Sequence, residues 1–133
     1  MIVDTSALIA LLLGERDAAE IASKLARAKA RNPPTRMSAA NWLEGAMVAE
    51  SREGRSGADD YDELVSMAGI EILSVTREHA RLARIAFRRY GRGSGSPARL
   101  NFGDCLAYAV AVALDAPLLF KGDDFTHTDV RRA

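Results

Sequence analysis

MIVDTSAL, residues 1–8, carries two structural elements and the junction between them. Ile2 and Val3 are β-branched and apolar, which reads as a short buried strand. Asp4 ends it, and Thr5 and Ser6 offer caps for a helix over the apolar run 7–13. A strand that feeds directly into a helix is the βα unit of an α/β sheet, and ligands in such sheets bind at the carboxyl ends of the strands. Asp4 therefore stands at the mouth of the expected pocket. Aspartate is also a favoured helix cap, so the remaining acids decide what Asp4 is for.

Working outward, a helical period in Ala18, Ile21, Ala22 and Leu25 predicts a second helix to about Arg31, opened by an Asp17/Glu20 capping box and stopped by Asn32-Pro33-Pro34. Residues 35–38 read as a second strand. Ser38 would cap a third helix over 39–51 whose apolar face is Ala40, Leu43, Met47 and Val48, with Glu44 on the same side. A carboxylate on a buried stripe is costly unless something pairs with it. Residues 53–59 read as a turn. A fourth helix presents Tyr61, Leu64, Val65 and Ala68 and stops at Gly69. A third strand spans 70–75, and Thr76 caps a fifth helix with His79, Leu82, Ala83, Ala86 and Tyr90 inside and arginines outside. His79 reads as a helix residue, because the other histidine, His127, is far from metal-ligand spacing. After the Gly/Ser loop 91–99, Asn101 caps a sixth helix over 102–114 with Asp104 in its first turn, where the helix dipole favours an acid. A fourth strand, 118–120, runs into Lys121-Gly122-Asp123-Asp124-Phe125, and 126–132 leaves room for one more short strand. Alternating strands and helices predict an α/β fold with four or five parallel strands and helices on both faces.

The 133 residues suit a single domain, 1–133. Apolar residues make up 48% and charged residues 27%, an ordinary globular balance. The longest apolar runs are too short for a bilayer span, which needs ~20 residues. One cysteine, Cys105, and the lack of a basic leader with a long apolar run point to the cytoplasm. The formal charge is zero, but it is unevenly spread. Between Thr76 and Arg99 stand seven arginines and one acid, Glu78, a local patch suited to phosphate.

Asp4, Glu44, Asp104 and the Asp123/Asp124 pair all fall after, or in the helix after, the carboxyl end of a predicted strand. Packed together, like charges would repel and raise their own pKa values. A divalent cation removes that conflict, and an all-oxygen ligand set favours Mg²⁺, with Mn²⁺ also suited, over Zn²⁺. Such a site fits phosphodiester hydrolysis by an activated water. Arg88, Arg89, Arg92 and Arg99 border the loop just before Asp104 and would neutralise the backbone phosphates of a nucleic acid, making binding salt-dependent, with Arg92 and Arg99 favoured because they lie on the loop.

With these stretches in hand, the chain resembles the PIN-domain ribonucleases, and among them the VapC-type toxins of toxin–antitoxin pairs. The resemblance rests on MIVDTSAL, Asn41-Trp42-Leu43-Glu44, Leu100-Asn101-Phe102-Gly103-Asp104-Cys105 and Leu119-Phe120-Lys121-Gly122-Asp123-Asp124-Phe125. It implies a PIN-like three-layer sandwich and Mg²⁺-dependent cleavage of RNA, tRNA or rRNA. It implies Asp4 and Asp104 as direct Mg²⁺ ligands, Glu44 and Asp123 (with Asp124 as the alternative) completing the acidic set, and Ser6 supporting Asp4. It also implies a homodimer and a VapB-type antitoxin. Two other readings are a non-catalytic RNA-binding α/β domain and a phosphatase-like Mg²⁺ enzyme. The phosphatase pattern needs a second Asp two residues after the first, where this chain has Ser6. A receiver domain would need a phospho-accepting Asp after the third strand, where Thr76 and Arg77 stand.

Overall fold

The computed structural model describes residues 1–30 and 34–133. Four strands, β1 (Ile2–Val3), β2 (Arg36–Ser38), β3 (Glu71–Leu73) and β4 (Leu118–Leu119), form one parallel sheet in the order β3-β2-β1-β4. Ile2 is in register with Arg36 on one side and with Leu118 on the other. Parallel strands need crossovers, and six helices supply them: α1 (Thr5–Leu12), α2 (Ala18–Lys29), α3 (Ala39–Glu53), α4 (Arg55–Ala68), α5 (Arg77–Tyr90) and α6 (Phe102–Ala113). The predicted fifth strand amounts to a single parallel bridge from Arg132 to Leu118.

Successive strand residues point to opposite faces, and the core divides accordingly. Val3, Met37 and Leu119 join a cluster with residues of α1, α2, α3 and α4. Ile2, Leu118 and Phe120 join one with α5 and α6. Helix α6 is buried along Gly103–Ala111, so its broad apolar face reflects a position in the core. The strand order reverses direction between β1 and β4, and the crevice at such a switch point is where open α/β sheets take ligands. Asp4 and the segment after β4 flank it.

Several local expectations give way to tertiary packing. The first helix is capped by Asp4 itself, whose side chain accepts from the Ser6 N–H. The Asp17 side chain makes no capping bond, because its backbone is already helical. Helix α2 ends at Lys29, and its predicted end at Arg31 and the stop at Asn32-Pro33 lie outside the described residues. Strand β3 is shorter than predicted. The predicted turn at 53–59 shrinks to Gly54, whose φ of 74° lets α3 run into α4 with no loop. The buried face of α3 is Asn41, Gly45 and Ala49, while Leu43 and Met47 are exposed. The reason is Tyr61, which packs so closely over Gly45 that any β-carbon there would overlap its ring. The small-residue face of α3 thus accepts α4, and its larger apolar residues face an open groove. Caps at Ser38, Thr76 and Asn101 form as predicted, as does the left-handed stop at Gly69.

Candidate active site

Asp4 is 3% exposed at the end of β1. Its Oδ2 accepts from the Ser6 N–H at 2.9 Å and from the Ser6 hydroxyl at 2.6 Å. Ser6 Oγ in turn accepts from the Lys121 N–H at 3.0 Å. One hydroxyl therefore ties the end of β1 to the chain leaving β4. Asp4 Oδ1 is buried with no hydrogen-bond partner among the described residues. Burial raises the Asp4 pKa, the Ser6 bonds oppose that rise, and the Glu44 charge adds to it.

Glu44 reaches this region from α3. Thr5 Oγ1 donates toward Glu44 Oε2 at 2.8 Å and lies 3.0 Å from the Asn41 carbonyl. On its other side the Glu44 carboxylate rests against Gly103, where any β-carbon would overlap it. Gly103 is therefore required for space, since its φ is not in the left-handed region.

Asp104 is placed by the capping box of α6. Its Oδ2 accepts from the Asn101 N–H at 2.7 Å, and Asn101 Oδ1 accepts from the Asp104 N–H at 2.9 Å. Burial pushes the Asp104 carboxyl up to about 7, helped by the charges of Asp4, Asp124 and Glu44. The four acids thus share one electrostatic neighbourhood built from the N-cap of α1, the second turn of α3, the first turn of α6 and the segment after β4.

The adjacent pair after β4 divides. Asp124 opens a short 3-10 turn, Asp124–His127, and its charge reaches Asp104. Asp123 is exposed, and its carbonyl accepts from Thr126; its carboxylate is not among the charges that act on Asp104. Phe125 anchors the turn, buried against Phe120 with ring centroids 4.9 Å apart. Arg92 and Arg99 are exposed on the loop that the Gly91–Leu100 bridge closes, and neither side chain is held by an ion pair or hydrogen bond among the described residues.

Two residues matter more than their sequence positions announce. Asn41 is fully buried; its Nδ2 donates to the Gly103 carbonyl at 2.9 Å, and its Oδ1 accepts from Ser38 Oγ at 2.6 Å. It locks the start of α3 to the start of α6, and so Glu44 to Asp104. Thr5 holds Glu44. A polar residue three places after a capping serine was the available signal for Asn41; nothing in the sequence marks Thr5.

Among the described residues no three His, Cys, Asp or Glu side chains form a metal cage. The donor set nonetheless suits a hard cation: all ligand atoms are oxygen, one buried carboxylate oxygen is unpartnered, and the acids repel each other. Mg²⁺ needs only one or two carboxylates and keeps water in its remaining positions.

The profile of the PIN domain matches residues 1–131. The chain belongs to the PIN-domain family, as a ribonuclease of the VapC type. It is 51% identical to Ribonuclease VapC28 of Mycobacterium tuberculosis over all of this chain and 97% of that one. It is 45% identical to a Ribonuclease VapC of Mycolicibacterium smegmatis over 98% of this chain and 97% of that one. The fold is that of Mycobacterium tuberculosis VapC20, described as a sarcin–ricin loop cleaving toxin, with a TM-score of 0.79, 17% identity and coverage of 99% and 97%. A toxin–antitoxin complex from Klebsiella pneumoniae superposes with a TM-score of 0.65 at 19% identity, covering 96% of this chain and 92% of that one. This PIN domain is thus an endoribonuclease, the toxin half of a toxin–antitoxin pair. VapC toxins pair with antitoxins, and PIN ribonucleases are in general metal-dependent.

Proposed function

We propose that residues 1–133 act as one nuclease domain that cleaves tRNA or rRNA with Mg²⁺, or Mn²⁺ in its place, at a site made by Asp4, Glu44, Asp104 and Asp124. Asp4 and Asp104 are the direct metal ligands. Glu44 and Asp124 complete the negative pocket, and Asp124 takes precedence over Asp123 because its charge reaches Asp104. Ser6 holds one oxygen of Asp4 and leaves the other free. When bound, a divalent cation lowers the pKa of a coordinated water and stabilises charge on the leaving oxygen. Glu44 or Asp124 would orient the attacking water or take its proton. Arg92 and Arg99 hold the RNA backbone. The same reading includes a VapB-type antitoxin, a homodimer and a cytoplasmic location; among the described residues no helix is long and apolar enough to cross a membrane.

The observation that carries this reading is the pair of buried acids, Asp4 and Asp104, driven toward the neutral form first by burial and then by the acids around them, with Asp4 Oδ1 unpartnered among the described residues. The test is cleavage of total cellular RNA by the purified chain in Mg²⁺, in Mn²⁺ and in EDTA, with Asp4→Asn and Asp104→Asn beside wild type. Cleavage should require the metal and fall by at least 100-fold in either variant. A folded variant that cuts at the wild-type rate would end the proposal.

A further inference from the structure

A groove of about 620 Å³ opens between α3 and α6, lined in part by Leu43, Glu44, Met47, Arg52, Phe102 and Gly103. Phe102 is the first residue of a helix that is buried for the next nine residues, yet it is itself 80% exposed. The fold makes no use of the ring. The capping box belongs to Asn101 and Asp104, and the core begins at Gly103. Across the groove Leu43 and Met47 are also exposed, at 52% and 62%. Contiguous exposed apolar surface of this kind marks a binding site.

We infer that Phe102 is a stacking platform for an unpaired base beside the scissile phosphate, and that Arg52 takes a neighbouring phosphate in the same groove. This rests on the nuclease reading. Three observations select RNA as the occupant. Phe102 stands two residues before Asp104 and one before Gly103, which abuts Glu44, so the groove is continuous with the acidic pocket. Arg52 is the one cation in its lining and makes no ion pair among the described residues. The one acid in the lining, Glu44, belongs to the acidic pocket itself. Single-stranded RNA is held by this combination of an aromatic face and basic groups along the backbone. Because every base has a π-face, Phe102 supplies grip without sequence choice. The substrate at the cut must then be a loop or bulge whose base can splay out.

The experiment compares wild type with Phe102→Ala, Phe102→Trp and Arg52→Gln. Binding of a fluorescently labelled oligoribonucleotide is read by anisotropy in EDTA, so that it does not depend on cleavage. A matched set of oligonucleotides carries one abasic residue at successive positions along the strand. Phe102→Ala should bind the intact oligonucleotide about 5- to 100-fold more weakly, Phe102→Trp should restore binding, and one abasic position should weaken wild type while leaving Phe102→Ala unchanged. Arg52→Gln should lower the salt slope, whereas Phe102→Ala should not. Equal loss in the Ala and Trp variants would overturn the stacking role. So would RNA binding at wild-type level in Phe102→Ala, and if that variant also escapes its antitoxin, the groove is a protein-docking surface. Wild-type protein that binds through Phe102 but cuts no RNA with any divalent metal fails as a nuclease and keeps the platform. Protein that cuts RNA equally well without the Phe102 ring fails here and keeps the nuclease.

Discussion

Asp104 shows how a residue can satisfy local structure and still oppose stability. Its carboxylate completes the α6 capping box, a contribution of about 1 kcal/mol. Burial among like charges nevertheless lifts its pKa to about 7 from an ordinary 3.8. The folded state therefore holds a proton that the unfolded state releases between about pH 4 and pH 7. Metal-free stability must fall as pH rises through that window, with a ceiling on the order of 4 kcal/mol. Asp4, raised for the same reasons, acts in the same direction. Urea melts in EDTA from pH 4.5 to 8 should show this decline, and Asp104→Asn, whose amide oxygen can still accept from the Asn101 N–H, should flatten it and be the more stable protein at pH 8. Mg²⁺ should raise the melting temperature of wild type more at pH 8 than at pH 5. A melt that strengthens steadily toward pH 8 in EDTA would contradict the crowding of these acids. Gly103 gives the steric counterpart. Gly103→Ala forces a β-carbon against the Glu44 carboxylate, so cleavage should fall at least tenfold, with a cost of about 1–3 kcal/mol in a melt, as for other overpacked sites.

Local signals were readable where one residue type has one strong role. Ser38, Thr76, Asn101 and Gly69 were legible as helix boundaries, and β1, β3 and β4 followed from their apolar residues, whereas β2, Arg36–Ser38, has no apolar run to announce it. The face of α3 was not. Leu43 and Met47 carry the hydrophobic period, yet Asn41, Gly45 and Ala49 face the core, because Tyr61 can approach only a helix with no side chain at position 45. Periodicity reports which residues are apolar and cannot tell burial in a core from the lining of a groove. In the same way the sequence offers Asp123 and Asp124 as equals, and only the turn pinned by Phe125 brings the charge of Asp124 to bear on Asp104. The α3–α6 contact also rests on a residue of the wrong polarity for a core. Asn41→Ala would remove the side-chain bond to the Gly103 carbonyl and the acceptor for the Ser38 hydroxyl proton, while Ser38 Oγ still accepts from the N–H of residue 41. A lost hydrogen bond costs about 0.5–1.5 kcal/mol, so the two together predict a loss of roughly 1–3 kcal/mol in a denaturant melt. Asn41→Asp should keep the Ser38 contact and lose the other.

Across the whole chain, zero net charge conceals a division of labour. The acids gather around the first turns of α1 and α6, the second turn of α3 and the segment after β4, whereas positive charge is concentrated along Thr76–Arg99. Some of those arginines are committed: Arg81 pairs with Glu78, and Arg89 with Asp129. Arg92 and Arg99 have no such partner among the described residues, and both lie on the loop that leads into α6 and Asp104. The arrangement separates grip from chemistry. Under the proposed function, Arg92 and Arg99 join Arg52 in attracting a polyanion to a neutral protein, because a pocket of acids repels phosphate unless a cation fills it. Binding of RNA in EDTA should therefore be weak and depend steeply on salt. Each phosphate neutralised adds about 0.7 to the slope of log affinity against log salt for single strands. Arg92→Gln/Arg99→Gln should lower that slope by roughly 1–1.5. It should leave the melting temperature within a degree or two, because both side chains are exposed. Mg²⁺ at a concentration that fills the pocket should strengthen binding in the double variant as much as in wild type. An unchanged salt slope would release the two arginines from RNA contact, and the grip would then have to be sought along the outer face of α5, at Arg77, Arg84 and Arg88.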